Sequence, residues 1–517
     1  MLRKEATSAH LTGTVLAPSL SSRRLVATGT YRLFVADVEA VETHHMHYDM
    51  ELRGEADERY TLHLVKNLRE RGSFKAWRET TTAYATVTDQ AENVIGTGIV
   101  HVDLTDFLRL LASIDAPRAP DNRTRLRARL RFLWMFVRRL LSIYGGVLDS
   151  PGQFPKTPVP KIPVTDKRAL KLGPLEAFSY TNGTWQPGLD RGPGTRMQLY
   201  RYNGGGKGPV LLSPGFAMSA TSFLVNTIET NLVEYLYKRK YDVWLFDDRG
   251  SILLQAAQKR YSLDDVALED WPAAVDFVRT HTNKNSVQVV AHCTGALTFE
   301  MAMLAGLQGV RSAVVSALTP FLVPSVWTKL KNKLRLEGVL ARLFLGLRPM
   351  TRGTLGNQLV DILLRLHPIE DDERCGQSVC RFMNAIYGKV HQHAQLNNDT
   401  HVALQGMYGF GNLTAGKQYA EAFRKGYILD RDGRNVYVTN PKGLAIPLLI
   451  LHGDRNTMFL PKGSERTYDW LREKNDPALY RREILRDYAH LDAFIGRNAH
   501  RDVFPIITDH LEKTAQV

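Results

Sequence analysis

Short runs of alternating apolar and polar residues open the chain. "YRLFVADVEAV", "RYTLHLVKNL", "TTTAYATVTD" and "GTGIVHVDL" set β-branched and aromatic residues against polar ones with a period near two, and turn residues separate them. That pattern predicts strands between residues 10 and 110. "LTDFLRLLASI" changes to a helical period, with Thr105 or Asp103 as its cap. Further on, Leu126, Leu130, Leu133, Trp134, Val137 and Leu141 recur at helical spacing between the proline-rich stretches "DAPRAPDNR" and "SPGQFPKTPVPKIPV". From residue 172 the pattern alternates strand and helix: "GPVLLSPGF", "TNLVEYLYKRK", "YDVWLFDDRGS", "VALEDWPAAVDFVRTHT", "SVQVVAHC", "GALTFEMAMLAGL" and "RSAVVSALTP". Such alternation predicts an α/β fold around a mostly parallel sheet. Helical runs such as "VWTKLKNKLRL", "LVDILLRLH" and "RCGQSVCRFMNAIYGKVHQHAQL" interrupt it, and "AIPLLILHGDRN" and "VFPIITDHLEKT" restore it.

The expected organisation is therefore a β-rich N-terminal domain (1–115), a basic amphipathic helix with proline-rich linkers (116–170), an α/β core (171–320), a mostly helical cap insertion (321–440) and the rest of the core (441–517).

Charge and cysteine content narrow the function. The net charge is +14, but seven arginines crowd one helix: Arg123, Arg125, Arg127, Arg129, Arg131, Arg138 and Arg139. Basicity this local argues against a nucleic-acid partner and leaves two readings of the 122–141 helix, a solvated face packed on a neighbour or peripheral contact with an anionic membrane. Three cysteines (Cys293, Cys375, Cys380) make no disulfide framework, which suits a reducing, cytoplasmic setting. "MLRKEATSAHLTGTVLAPSL" is a poor signal peptide, and no apolar window is long enough to cross a membrane. Oligomeric state stays open.

One stretch carries chemistry. "VVAHCTGAL" ends a strand on Cys293 and begins a helix at once. A nucleophile on such an elbow needs small neighbours, and here Ala291 and Gly295 flank the turn. Downstream, "LLILHGDRN" ends where an acid should sit, and "YAHLDAFIG" supplies His490, in the order nucleophile, acid, histidine. A thiolate–imidazolium pair needs its third member only to orient the ring. The backbone N–H groups of Thr294 and Phe216, the latter after the Pro214-Gly215 turn, are the expected oxyanion donors.

Taken together, "PVLLSPGFAMSATSF", "YDVWLFDDRGS", "VALEDWPAAVDFV", "AHCTGA" and "HLDAFIGRNAHRDVFPII" resemble the acid-lipase branch of the α/β hydrolases. They look still more like the α/β-hydrolase module fused behind cholesterol-oxidase-type flavoproteins, whose elbow also reads His-Cys-x-Gly. "MHYDM" and "WRETTTAYATV" resemble the segment before that module. The resemblance implies an α/β-hydrolase fold and cleavage of a lipid-like, steroid or fatty-acyl ester or thioester through a cysteine acyl-enzyme. Lipases of this branch carry the acid as G-x-x-Asp after the strand, so the resemblance puts Asn456 in the acid position, counted from Gly453, with Asp454 as the second candidate. Acyl transfer by the same machinery and a catalytically weak binding or scaffolding role are the alternatives. No G-x-G-x-x-G is present to hold a flavin, so no cofactor is expected.

Other motifs read as structure. "NGGGKGP" lacks phosphate-loop spacing, Asp247 and Asp248 read as a loop beside Arg249, and "FGNLT" resembles a pocket-lining cap element of the acid lipases. Cys375 and Cys380 have no second ligand pair at zinc spacing, and His391 and His393 form an isolated H-x-H, so no metal is expected either.

Overall fold

The N-terminal alternation builds a six-stranded antiparallel sheet in plain sequence order: β1 (Thr7–Val15), β2 (Leu25–Ala36), β3 (Thr43–Arg53), β4 (Arg59–Arg69), β5 (Thr82–Thr88) and β6 (Val94–His101). The computed structural model describes residues 7–55, 58–69, 81–116, 119–144, 168–325, 355–365, 369–409 and 412–515. "VWTKLKNKLRL" and "SPGQFPKTPVPKIPV" lie outside them. The chain divides into two units, Met1–Gln153 with Asp361–Gln377, and Phe154–Val360 with Ser378–Val517.

In the first unit, Leu25, Ala27, Met50, Leu52 and Leu62 make one apolar cluster, and Leu33, Met46 and Leu68 make another around Phe136. Phe136 belongs to the helix Asn122–Tyr144, so the arginine-rich segment is helical and buries one aromatic edge on the sheet. Leu126, Leu130 and Trp134, spaced four apart on the same helix, are exposed. Among the described residues, no helix is long and apolar enough to cross a membrane.

The second unit is built on a nine-stranded sheet in the order β15-β14-β13-β12-β10-β11-β9-β7-β8. β10 (Pro209–Ser213), β11 (Asp242–Asp247), β12 (Val287–His292), β13 (Val310–Ser316), β14 (Leu448–Gly453) and β15 (Tyr480–Leu485) run parallel. β7 (Glu176–Thr181), β8 (Thr184–Pro187) and β9 (Thr195–Asn203) close one side antiparallel. The central strands β10, β11, β12 and β14 are buried throughout, which explains why they read as continuous apolar runs. Helices Leu232–Lys238, Trp271–Thr282, Thr294–Leu304 and Phe504–Lys513 follow or link them, and Pro272 sits in the first turn of its helix, where a missing N–H costs nothing.

β10 is the strand at which the order reverses, since β11 lies on one side of it and β12 on the other. A crevice opens at the carboxyl ends of strands beside such a point. Phe216 follows β10 and Cys293 follows β12, so the topology brings both to one place. Helices Ser378–Tyr387, Asn398–Met407 and Leu413–Lys425 intervene between β13 and β14.

Candidate active site

Cys293 stands between β12 and the helix Thr294–Leu304 with φ 53° and ψ −120°, a conformation L-residues avoid. The strain is held from several sides. The Cys293 N–H donates to Ser316 O at 2.9 Å, and the Gly295 N–H donates to Pro214 O at 3.0 Å. A Cβ at Gly295 would lie 2.5 Å from both Pro214 O and Ser213 Oγ, so only glycine lets the helix start this close to β10. Ala291, fully buried, pairs with Ser213 across the strands.

The turn after β10 faces the sulfur. A Cβ at Gly215 would meet Cys293 Cβ at 3.2 Å and Sγ at 3.6 Å. Burial pushes the Cys293 thiol up to about 11 despite the opposing pull of the Phe216 N–H, the Thr294 hydroxyl and the Thr294 N–H. The residues expected to supply the oxyanion amides, Phe216 and Thr294, thus adjoin Gly215 and Cys293 at this contact. Asp247, at the end of β11, holds this turn from behind: its carboxylate accepts the Ala220 N–H at 2.7 Å and the Ser219 hydroxyl at 2.9 Å. Ala217, with φ 54°, completes the bend.

His490 is buried on the loop after β15. Gly453 lets that loop come close, since a Cβ there would sit 2.1 Å from Ala489 O. Asn456, the residue in the acid position, reaches His490 with its Nδ2 3.1 Å from Nδ1. The amide is locked that way round, because its Oδ1 accepts the N–H groups of Met458 and Phe459, each at 3.1 Å. Asn456 thus donates to Nδ1, and a neutral His490 carries its proton on Nε2. Asp454 is not part of the group: it is exposed and accepts the Asp487 N–H at 2.8 Å. Burial, then the neighbouring His292 and His452, hold His490 well below the ordinary imidazole range.

Burial thus raises the thiol and lowers the imidazole, which opposes the thiolate–imidazolium pair expected from the sequence. Among the described residues no hydrogen bond joins Cys293 to His490; the side-chain partner of Sγ is Thr294 Oγ1 at 3.9 Å. Beside His490 lies a residue that sequence reasoning passed over. The His292 ring packs 4.6 Å from His490, and its Cδ2 borders Gly215 as Sγ does.

No family model matches the chain. Gastric triacylglycerol lipase of Mus musculus is 27% identical over 176 residues, which is 32% of this chain and 44% of the lipase. Lipase member J of Homo sapiens is 30% identical over 95 residues, 17% of this chain and 26% of that protein. This chain thus spans less than half the length of the curated relatives it matches. Among solved structures, an esterase of Pyrococcus furiosus aligns over 70% of this chain and 99% of its own at 13% identity and a TM-score of 0.39. An esterase of Thermogutta terrifontis aligns over 66% and 99% at 13% identity and 0.42. The second unit has a mixed α/β fold around its nine-stranded sheet.

Within that unit, three tyrosines from the segment between β13 and β14 lie near the thiol. Tyr419 donates its hydroxyl to Thr294 Oγ1 at 2.8 Å, and its ring meets Phe216 edge-on. Tyr387 and Tyr408 are raised by burial first and by the nearby Cys293 as well. The Tyr408 hydroxyl is buried without a hydrogen-bond partner. Nothing in the sequence marked these tyrosines, because their approach depends on how the intervening helices fold back. The same helices hold a second group that spacing concealed: Cys380, His393 and His401 converge in the interior.

Proposed function

We propose that the second unit cleaves carboxylic ester bonds of lipid-like substrates through an acyl-enzyme on Cys293. One observation carries the reading: Cys293 sits at a strained strand-to-helix turn with the Gly215 turn packed against its sulfur, beside the amides of Phe216 and Thr294. Two converging amides are what a developing oxyanion needs, and each such donor lowers the barrier by about 3 kcal/mol. Cys293 Sγ attacks the acyl carbon, and the carbonyl oxygen takes the charge between the amides. His490 receives the thiol proton and returns it to the departing alcohol. Water then attacks the thioester, His490 takes its proton, and the acid and the thiol are released.

Because thiol and imidazole are both neutral at rest, proton transfer accompanies attack, and the ring proton must first move from Nε2 to Nδ1, which requires the Asn456 amide to turn its oxygen to the ring. The buried tyrosine wall and the helices beyond it, read as a cap, suit an apolar acyl or steroid substrate, in keeping with the likeness to the hydrolase module of cholesterol-oxidase-type flavoproteins. The exposed Leu126, Leu130 and Trp134 among arginines suit peripheral attachment to an anionic membrane from the cytoplasm.

The test uses p-nitrophenyl esters of increasing chain length. Hydrolysis that disappears in Cys293→Ala, with an acyl adduct on Cys293 by mass spectrometry, is the expected result; turnover unaffected by that substitution defeats it. Turnover seen only with an added alcohol or thiol means acyl transfer. The tautomer imposed by Asn456 favours one further reading, a protein that takes up an acyl group and turns over slowly. A stoichiometric adduct without steady-state hydrolysis identifies it.

A further inference from the structure

Ser378–Tyr387, the loop 390–395 and Asn398–Met407 bring one thiol and two imidazoles together inside the second unit. Cys380 Sγ lies 3.2 Å from His401 Nε2, and His401 Nε2 lies 3.1 Å from His393 Nε2. The three ligand atoms fall within 4.8 Å of one another, and all three residues are buried. His391 borders the group, its Nε2 3.6 Å from the same sulfur. Hydrogen bonding meets this triangle poorly, because His401 Nε2 has one site in its ring plane and faces two partners. A cation meets all three lone pairs at once. Zinc bonded at about 2.3 Å to sulfur and about 2.0–2.1 Å to nitrogen spaces its ligands roughly 3.3–3.6 Å apart, close to the distances here. One thiolate with two imidazoles is a soft-to-borderline set that selects zinc-like ions over magnesium or calcium.

We propose that Cys380, His393 and His401 bind one zinc-type divalent cation. The site has a further consequence, because each ligand belongs to an element that delivers a group to the thiol of Cys293. The helix of Cys380 ends on Tyr387, and the helix of His401 runs into Tyr408. Beyond it, the Gly409 N–H donates to Ala217 O at 2.9 Å in the oxyanion turn. The loop of His393 accepts from the catalytic loop: Val390 O takes the His490 and Leu491 N–H groups at 3.1 and 2.7 Å. In return, Asp492 accepts the Gln392 N–H at 3.0 Å. The ion would clasp the wall that positions His490, without touching substrate. Its binding does not depend on the ester-hydrolase reading.

The full chain is stripped with a chelator, loaded with Zn2+ and desalted, and metal is counted by mass spectrometry. About one zinc per chain is expected, falling to background in Cys380→Ser and His401→Ala and unchanged in Cys293→Ser. Loading with Co2+ should give a thiolate-to-cobalt charge-transfer band that Cys380→Ser abolishes and Cys293→Ser keeps. Circular dichroism identifies any variant that fails to fold; for such a variant, zinc uptake and the cobalt band of the wild-type chain decide. A wild-type chain that retains no zinc after loading, or one whose zinc survives both substitutions in folded protein, overturns the proposal.

Discussion

Two buried cysteines of the second unit sit near histidines, and they meet opposite surroundings. Cys293 faces hydrogen-bond donors: the amides of Phe216 and Thr294 and the Thr294 hydroxyl. Cys380 faces ring nitrogens at 3.2 and 3.6 Å. Donors aimed at a sulfur prepare a place for negative charge beside it, where an acyl oxygen can go. Ring nitrogens aimed at a sulfur prepare a place for a cation between them. The residue pair is the same; what differs is which atom of the neighbour points inward, and backbone geometry decides that.

The sharpest way to break the contrast is to remove each sulfur in turn. Cys293→Ala should lower ester cleavage by about 10³-fold or more while zinc content stays whole. Comparable loss in both measurements would merge the two sites into one. Next comes the third member of the catalytic group. Asn456→Asp keeps an oxygen for the 458 and 459 amides and offers a second to the Nδ1–H of His490, which frees Nε2 as base. We expect kcat/KM at neutral pH to rise by about tenfold or more. A fall would mean that the amide already orients the ring correctly.

Removing zinc from the wild-type chain should reduce kcat by about tenfold, through displacement of the His490 loop, with KM nearly unchanged. Alkylation of Cys293 tests its neutrality. With the thiol raised to about 11, its reaction with iodoacetamide should climb about tenfold per pH unit from pH 7 to 10. A plateau below pH 7 would reveal a thiolate–imidazolium pair.

The smallest effect concerns Glu300, on the helix that starts at the elbow. Both of its oxygens are buried without a hydrogen-bond partner, and burial raises its pKa well above the usual value. Such a raised acid stabilises the fold fully only below the unfolded value of about 4.3, and the contribution is lost as pH rises, since the unfolded chain alone gives up its proton. Glu300→Met should therefore raise Tm, and more at pH 8 than at pH 4. An equal change at both would mean that Glu300 is ionised in the folded state or paired in a way its surroundings do not suggest.

The elbow, the strand alternation and the position of Asn456 were legible in the sequence because each depends on local pattern or chain order. Asp454 was a reasonable rival on the same evidence, and its exclusion needed the fold: Gly453 draws the 488–490 loop across the strand end, so the residue facing inward is Asn456. The tautomer of His490 could not be read, since it rests on which way the Met458 and Phe459 N–H groups point. His401 escaped notice for a similar reason. The H-x-H of His391 and His393 lacked a partner at ligand spacing, and the partner arrives on a separate helix.

The Asp247 carboxylate behind the oxyanion turn gives this molecule a built-in clock. It accepts the Ala220 N–H at 2.7 Å in a fully buried setting, beyond direct reach of solvent. In deuterated buffer that proton can leave only when the turn itself opens. Its exchange rate therefore reports how often the amides near Cys293 lose their alignment, in a protein to which no substrate has been added.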